Sequence, residues 1–590
     1  MKGKLLCGYQ GWFRTPGDED NTGWQHYIAD WGTPISPAKI TVDYWPEMTE
    51  LGASESYKAD GFSNPDNSQA TLFSSDNART VLRHFQWMEA YGIDGIAVQR
   101  FMPGATPDAA SLRVIKDIGA AANLTGRTYF IEYDMSGFDM SNGKDVDLVP
   151  TITKDWHYLV DAMKLTSDAR YLQQGGMPVI GIFGFYEDRF SAATANAILD
   201  VFKGPGPYQA FVAGAGAWYW NVQNYSDAWK TMMYRMGSYQ PWNTGNSGGK
   251  VGDVPVTNYW ATDKAALAAH NVMYVPQIYP GSSALNRDRK PWGPATEDRA
   301  SGSFLWSQLT TAVNLNADSV FLGMFDEMDE GTQLIKVSQT PPTAANFRDY
   351  QGLPSDAYLC FAGQGTKMFH KEMPFSAIKP DCAKLTQPSI PDPIAPLTGA
   401  KQPPPTVTYS FSKAIALAQG GTIDHYEVAI DSAISSTNAL SVALPTASGS
   451  HVWRVRAVNS LNNAGGWSIP QSFTVTPCTT DCSTGTGGAT GTSGASGIAG
   501  SPTSGAASAG GGASGQAVGG SGSSSAGSSP SNAGSGVANG PNGSGNGSKA
   551  AGCGCRLHQP RGGSNVDRWL TLGALAGVVI ARRRRARSVS

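Results

Sequence analysis

Short apolar runs and amphipathic stretches alternate along the first 375 residues of the chain. Runs suited to buried strands fall at 4–8, 94–101, 128–133, 178–183, 209–213, 237–242, 272–279 and 319–325. Between them, segments with helical spacing of apolar positions lie at 78–91, 109–123, 153–165, 192–202, 226–233, 264–271 and 303–314. Asp76 and Asp108 are the expected N-caps of the first two helices, and Gly92 the expected C-cap of the first. Eight strand–helix units in roughly 330 residues predict an α/β fold, a (β/α)8 barrel filling residues 1–375. A doubly wound open sheet would want a Gly-rich phosphate loop after an early strand, and none occurs.

The pattern then changes. Residues 376–405 are rich in proline (Pro388, Pro391, Pro393, Pro396 and Pro403 to Pro405) and predict a semi-rigid linker. Over 406–477 the spacing becomes that of short strands: Trp453, Val455, Ala457 and Asn459 alternate with Arg454, Arg456 and Val458, which predicts a small all-β sandwich. Residues 478–552 are almost entirely Gly, Ser, Ala, Thr, Asn and Pro, a composition with no core to bury, so a disordered Gly/Ser linker is expected. The segment 553–590 carries Cys553 and Cys555, an apolar run over 569–581 and then Arg582 to Arg585. That run predicts a short hydrophobic helix, too short to cross a bilayer comfortably, with its arginines on the cytoplasmic side.

A net charge of −3, with 15% charged residues and no basic block in the first 550 positions, argues against nucleic acid as a partner. Most of the 16 tryptophans precede residue 310. Tryptophan beside acids suits sugar rings, whose C–H faces pack on aromatic faces, although the same residues fill large cores equally well. Of the seven cysteines, Cys7 sits in an apolar run and is expected as a buried thiol, whereas Cys360 with Cys382, and Cys478 with Cys482, are possible pairs. This usage permits an exported protein. At the N-terminus, Met1 to Lys4 leads straight into the first strand, too short for a signal segment. Since the C-terminus has the look of an export feature, a signal peptide is expected to be missing from this chain.

A barrel places its chemistry at the C-terminal ends of its strands. Those ends offer Tyr9, Gln10 and Trp12; Gln99 and Arg100; Glu132 and Asp134; Trp218 and Trp220; Gln277 and Tyr279; and, after the last strand, Asp326, Glu327, Asp329 and Glu330. Four carboxylates within five positions, followed by Gly331, make a poor core and a suitable barrel mouth. Glycosidic cleavage needs two such groups, one to protonate the leaving oxygen and one to assist attack at the sugar carbon. Glu327 and Glu330, three apart, come close together on a helical turn or tight loop. A solvated acidic loop or a calcium site is the alternative reading of the same cluster, though the alternate-ligand spacing of an EF-hand is lacking. Neither a metal nor an organic cofactor is expected.

Several motifs carry a family resemblance. Gly8-Tyr9-Gln10-Gly11-Trp12-Phe13, Leu72-Phe73-Ser74-Ser75, His84-Phe85 with Trp87-Met88, Tyr91 to Gly95, Gln99-Arg100-Phe101 and Tyr133-Asp134 with Ser136-Gly137 resemble bacterial glycoside hydrolase family 71/99-like proteins, up to about residue 370. Glu327-x-x-Glu330-Gly331-Thr332 is similar to the Glu-x-x-Glu-Gly signature of family 99 endo-α-mannosidases. The resemblance implies that Glu327 is the base and Glu330 the general acid. The base would help the sugar's own 2-hydroxyl attack the anomeric carbon through a 1,2-anhydro sugar. It implies a glycan or polysaccharide substrate with an α-linkage. An α-1,3-glucanase of the family 71 kind and a non-catalytic glycan-binding surface protein are the alternatives. The spacing Trp-x-Val-x-Ala-x-Asn, followed by Gly466-Trp467-Ser468, resembles the late strands of fibronectin type III domains. Cys553-Gly554-Cys555, the apolar run and the arginine cluster resemble a myxobacterial-type C-terminal sorting signal. That implies a sorting protease or outer-membrane machinery as partner, and a cell-surface, outer-membrane-associated location.

Overall fold

The computed structural model describes residues 1–102, 109–221, 225–244 and 256–477. Its centre is a ring of parallel strands: β1 (Leu5–Tyr9), β2 (Gly95–Phe101), β3 (Thr128–Asp134), β4 (Met177–Phe185), β5 (Phe211–Ala217), β6 (Ser238–Trp242), β7 in two halves (Met273–Tyr274 and Gln277–Ile278) and β8 (Val320–Leu322). Each strand pairs in parallel with the next, from Leu6 opposite Gly95 to Tyr239 opposite Tyr274. Closure depends on the seventh strand. Its first half pairs with β6 and its second with β8, while β8 pairs with β1. Pro276, between the halves, has no N–H for the ladder, which fits the break at that point. The strands are buried almost throughout, as parallel strands covered by helices must be.

Among the described residues, eight helices surround the ring: α1 (Ala78–Tyr91), α2 (Ala109–Thr125), α3 (Leu148–Asp161), α4 (Ala192–Lys203), α5 (Asp227–Met233), α6 (Trp260–Ala268), α7 (Ser303–Asn314) and α8 (Ala357–Phe369). The last has no counterpart in the sequence-based assignment. It is separated from β8 by a long loop, and it packs against α7 and α1 to complete the eighth unit. Gly92 ends α1 in the left-handed conformation, as expected. Asn77, not Asp76, is the N-cap, accepting from the Arg79 and Thr80 backbones. Asp76 is instead held by Arg113, Oδ2 lying 2.6 Å from Nη2. Asp108 lies outside the described residues. α3 begins five residues earlier than its apolar spacing suggests, with Pro150 accommodated in the first turn.

Beyond α8 the chain forms two sheets around one apolar core of Val407, Tyr409, Phe411, Tyr426, Val428, Trp453, Val455, Ala457, Phe473 and Val475. One sheet holds Pro393–Ala395, Thr406–Phe411 and Ser441–Pro445. The other holds Lys401–Gln402, Gln471–Val475, Gly449–Asn459, Ile423–Ile430 and Ala433–Thr437. The Pro-rich stretch expected as a linker therefore contributes a strand to each sheet, and the Pro396 carbonyl accepts from Trp453 Nε1 at 2.7 Å. The same stretch is tied to the barrel. Cys382 is disulfide-bonded to Cys360 on α8, Asp392 pairs with Arg79, and Gln387 N donates to Asp356 Oδ2. Cys7 is a buried free thiol. No helix among the described residues is long and apolar enough to cross a membrane. Cys478, Cys482, the linker 478–552 and the segment 553–590, with its hydrophobic run, lie outside them.

Candidate active site

The loop after β8 folds back on itself within a few residues. Phe325 N donates to Gly8 O, Met328 N to Asp326 O, Gly331 N to Met328 O, and Leu334 N returns to Phe325 O. The tight turn keeps residues 323–337 buried and brings all four acids to the C-terminal end of the ring. Two glycines make the path possible. Gly331 has φ +67°, and a Cβ there would lie 2.4 Å from Ser283 O. A Cβ on Gly323 would come within 2.7 Å of Gln277 Nε2, the side chain that crosses behind the loop.

Each acid of the cluster has a different partner. Asp326 accepts from the backbone N–H groups of Gln10 and Gly11, at 2.7 and 2.8 Å, and so clamps the first strand's end to the last. Burial nevertheless lifts its carboxyl to about 7. Glu327 accepts from Gln10 Nε2 at 3.0 Å and Thr332 Oγ1 at 3.1 Å. Asp329 Oδ2 lies 3.1 Å from His26 Nδ1. Glu330 Oε1 accepts from Arg287 Nη1 at 2.6 Å. Burial raises Glu327 well above its ordinary value, and the neighbouring Glu330 and Asp329 add to the shift. Burial also raises Glu330, to about 7, but Arg287 opposes it. Arg287 thus keeps Glu330 the more easily ionised of the two.

Across the mouth stands a second pair of acids. Glu132 accepts from Gln99 Nε2 at 2.6 Å, and burial, reinforced by Asp134, raises it to about 8. Asp134 is raised to about 6 by burial, against the hydrogen bond from Ser136 N. A small hollow lies between the two walls, lined by Gln10, Gln99, Asp134, Phe183, Trp242, Met324 and Glu327. Gln10 Oε1, Gln99 Oε1, Gln240 Nε2 and Asn243 Oδ1 are buried there or nearby without a hydrogen-bond partner among the described residues.

Of the residues singled out in the sequence, Gln10, Gln99, Asp134 and Glu327 line the hollow, and Glu132, Asp329 and Glu330 stand directly behind it or beside it. Trp12 is stacked between His26, 3.8 Å away, and Phe101. Others serve the scaffold. Tyr9 is fully buried with its hydroxyl on His84 Nδ1. Arg100 points to the helix layer, where it forms a buried ion pair with Asp155, because neighbouring residues of a strand face opposite ways. Trp220 is buried against Tyr239, and Trp218 stacks on Tyr259. Gln277 is spent on Asn243 N and Thr244 Oγ1, and Tyr279 on Glu297. Two residues at the site carry no sequence signal of their own, His26 and Arg287, which lie 303 and 43 residues from the acids they contact. Trp242 closes the hollow with Phe183, their ring centroids 4.9 Å apart.

No family model matches the chain. Over 114 residues it is 27% identical to a glycoprotein endo-alpha-1,2-mannosidase-like protein of Danio rerio, a stretch covering 19% of this chain and 25% of that protein. Over 116 residues it is 27% identical to the glycoprotein endo-alpha-1,2-mannosidase of Mus musculus, covering 19% and 24%. These matches span about a quarter of the length of the curated relatives. Among solved structures, the GH99 endo-alpha-mannosidase from Bacteroides thetaiotaomicron aligns with 63% of this chain and 98% of its own, at 15% identity and a TM-score of 0.47.

Proposed function

We propose that the protein is a glycoside hydrolase that cleaves an α-linked, mannose-containing glycan at the mouth of the barrel. The observation that carries this reading is the convergence of Glu327 and Glu330, on one buried turn after β8, beside a hollow bordered by Gln10, Gln99 and Asp134. Two neighbouring carboxyls whose affinities for a proton are both raised by burial supply what acid–base cleavage of a glycosidic bond needs near neutral pH. Gln10 Oε1, Gln99 Oε1, Gln240 Nε2 and Asn243 Oδ1, without a partner among the described residues, suit a ligand dense in hydroxyls. The short matches to endo-α-mannosidases support the choice of mannose.

Glu330 is assigned the general acid. It gives its proton to the glycosidic oxygen as the bond to the anomeric carbon breaks. Glu327 takes the proton of the 2-hydroxyl, whose oxygen closes on the anomeric carbon to a 1,2-anhydro sugar; water then attacks that carbon, giving a proton to Glu330, while Glu327 returns its proton to the 2-oxygen as the ring opens. Gln10 and Thr332 hold Glu327 in place. The pairing of Glu330 with Arg287 favours a second reading in which the two roles are exchanged, since it favours the ionised form of Glu330. A substrate with a leaving group that needs no protonation separates them. E330Q should retain turnover of α-mannosyl fluoride while losing mannan cleavage, and E327Q should lose both. The reverse pattern exchanges the roles, and unchanged cleavage of mannan by both variants rejects the site.

The two-sheet module after the barrel is proposed to be of fibronectin type III kind, holding the barrel away from its anchorage. The tail is proposed to keep an exported chain at the cell surface through sorting machinery.

A further inference from the structure

A second cavity opens on the same end of the barrel. Its volume is about 380 Å³, within the range of small-molecule sites. Its walls come from the loops after β1 (Tyr44), β7 (Trp292, Asp298, Arg299) and β8 (Phe347, Arg348, Asp349, Gln351). None of these residues lines the hollow at Glu327.

We infer that this cavity binds an outlying sugar unit of a polysaccharide whose scissile bond lies at Glu327 and Glu330. The inference rests on the glycan reading above and deepens it, because it makes chain length part of recognition. The chemistry of the walls points to a neutral polyol. Two carboxylates, Asp298 and Asp349, balance two guanidiniums, Arg299 and Arg348, so neither an anion nor a cation is favoured. Trp292 is 39% exposed, and the guanidinium of Arg348 lies 4.6 Å from its ring, fixing an aromatic surface at the rim. Asp349 is an exposed carboxylate beside it, one oxygen accepting from Gln351 N, while the Gln351 amide is held by Ser301 N and Asp298. A fixed planar acceptor next to a held aromatic ring forms the combination that a pyranose, with its apolar face and equatorial hydroxyls, can satisfy. The cavity is also joined to the cleaving loop. Arg348 Nε donates to Ser283 Oγ at 2.9 Å, and Ser283 N donates to Glu330 O at 2.9 Å.

The test uses the full chain. In the E330Q background, α-mannan trisaccharide and hexasaccharide are titrated calorimetrically, with and without Trp292→Ala. The corresponding α-1,3-glucan pair is run in parallel. Hexasaccharide affinity should fall about tenfold on Trp292→Ala, with the trisaccharide unaffected. In the otherwise unmodified chain the same substitution should raise KM on mannan and leave kcat at saturation unchanged. Asp349→Ala, at an exposed position, provides a second variant with little risk to folding, and a several-fold loss for the hexasaccharide alone is expected. Equal affinities for both lengths in every variant, or no binding of either oligosaccharide series, would overturn the inference. Failure of the parent reading looks different: the unmodified chain would release no reducing ends from the oligosaccharides that it binds.

Discussion

The Arg299 guanidinium donates from Nη2 to the carbonyl of Gly331 at 2.8 Å, one residue beyond Glu330. It reaches the Gln333 carbonyl at 2.9 Å with the same nitrogen. The cation is fully buried and has no carboxylate partner among the described residues. It lies over the rings of Tyr44, Tyr350 and Tyr358, at 4.9, 4.9 and 4.4 Å. Removing it leaves two buried carbonyls short of a donor, each worth about 1–3 kcal/mol. Arg299→Met should therefore lower stability by roughly 3 kcal/mol in denaturant titration. Arg299→Lys, which keeps the charge but not the reach of the fork, should lose less stability and still lower kcat.

Arg287 sets the proton affinity of Glu330. Burial raises this carboxyl and Arg287 lowers it, with a net position of about 7. Without the guanidinium, the burial and the nearby Asp329 and Asp288 act unopposed, so the pKa must rise. In Arg287→Gln the limb of the pH–kcat/KM profile that reports Glu330 should move to higher pH. An unmoved limb would show that Glu330 is not the group being read.

Gly331 is required by conformation and by space together. Its φ of +67° is costly for other residues, and an added Cβ would meet backbone atoms of Ser283 at 2.4 and 2.6 Å. Gly331→Ala should lower stability by roughly 2–4 kcal/mol and reduce kcat/KM at least tenfold, because the turn carrying Glu330 must shift. Thermal unfolding and initial-rate assays separate the two effects.

Glu132 couples the site to stability. Its carboxyl binds a proton up to about pH 8 in the folded chain, against an ordinary value near 4.5. Between these values the folded state holds the proton that the unfolded state has lost, so stability falls as pH rises through that window. Glu132→Gln keeps the acceptor for Gln99 and removes the titration. Its melting temperature should match that of the unmodified chain near pH 4.5 and exceed it at pH 8.

The disulfide between Cys360 and Cys382, 22 residues apart in sequence, anchors the segment that leads from α8 into the two-sheet module. By loop-closure entropy, replacing both cysteines by alanine should cost about 3 kcal/mol, measured as a lower midpoint in denaturant. Kinetics on a short substrate should be unchanged, since neither residue approaches the hollow.

What could be read along the chain was whatever local spacing controls. The apolar runs located all eight strands, because a parallel strand buried on both faces must be apolar throughout. Gly92 ended α1 for a reason confined to its own backbone. The helix at 357–369 escaped because its face is buried nearly all round, so it shows little contrast between apolar and polar sides. The strand-end residues Gln10, Gln99 and Asp134, with Glu327 of the following loop, line the hollow. Arg100 faces the helix layer instead, because one residue along a strand reverses the side chain's direction, and the exact end of the strand decides which face it takes.

Sequence by itself determined the alternation of strands and helices, the acid cluster with its glycine, and the change of composition after residue 375. Tertiary structure alone decided which acids have which partners. Asp326 became a clamp, Glu327 faces the hollow, and Glu330 meets a guanidinium from another loop. The reason is physical. A backbone pattern follows from neighbours a few residues away, whereas the proton affinity of a carboxyl depends on burial and on charges that only the closed barrel brings within reach.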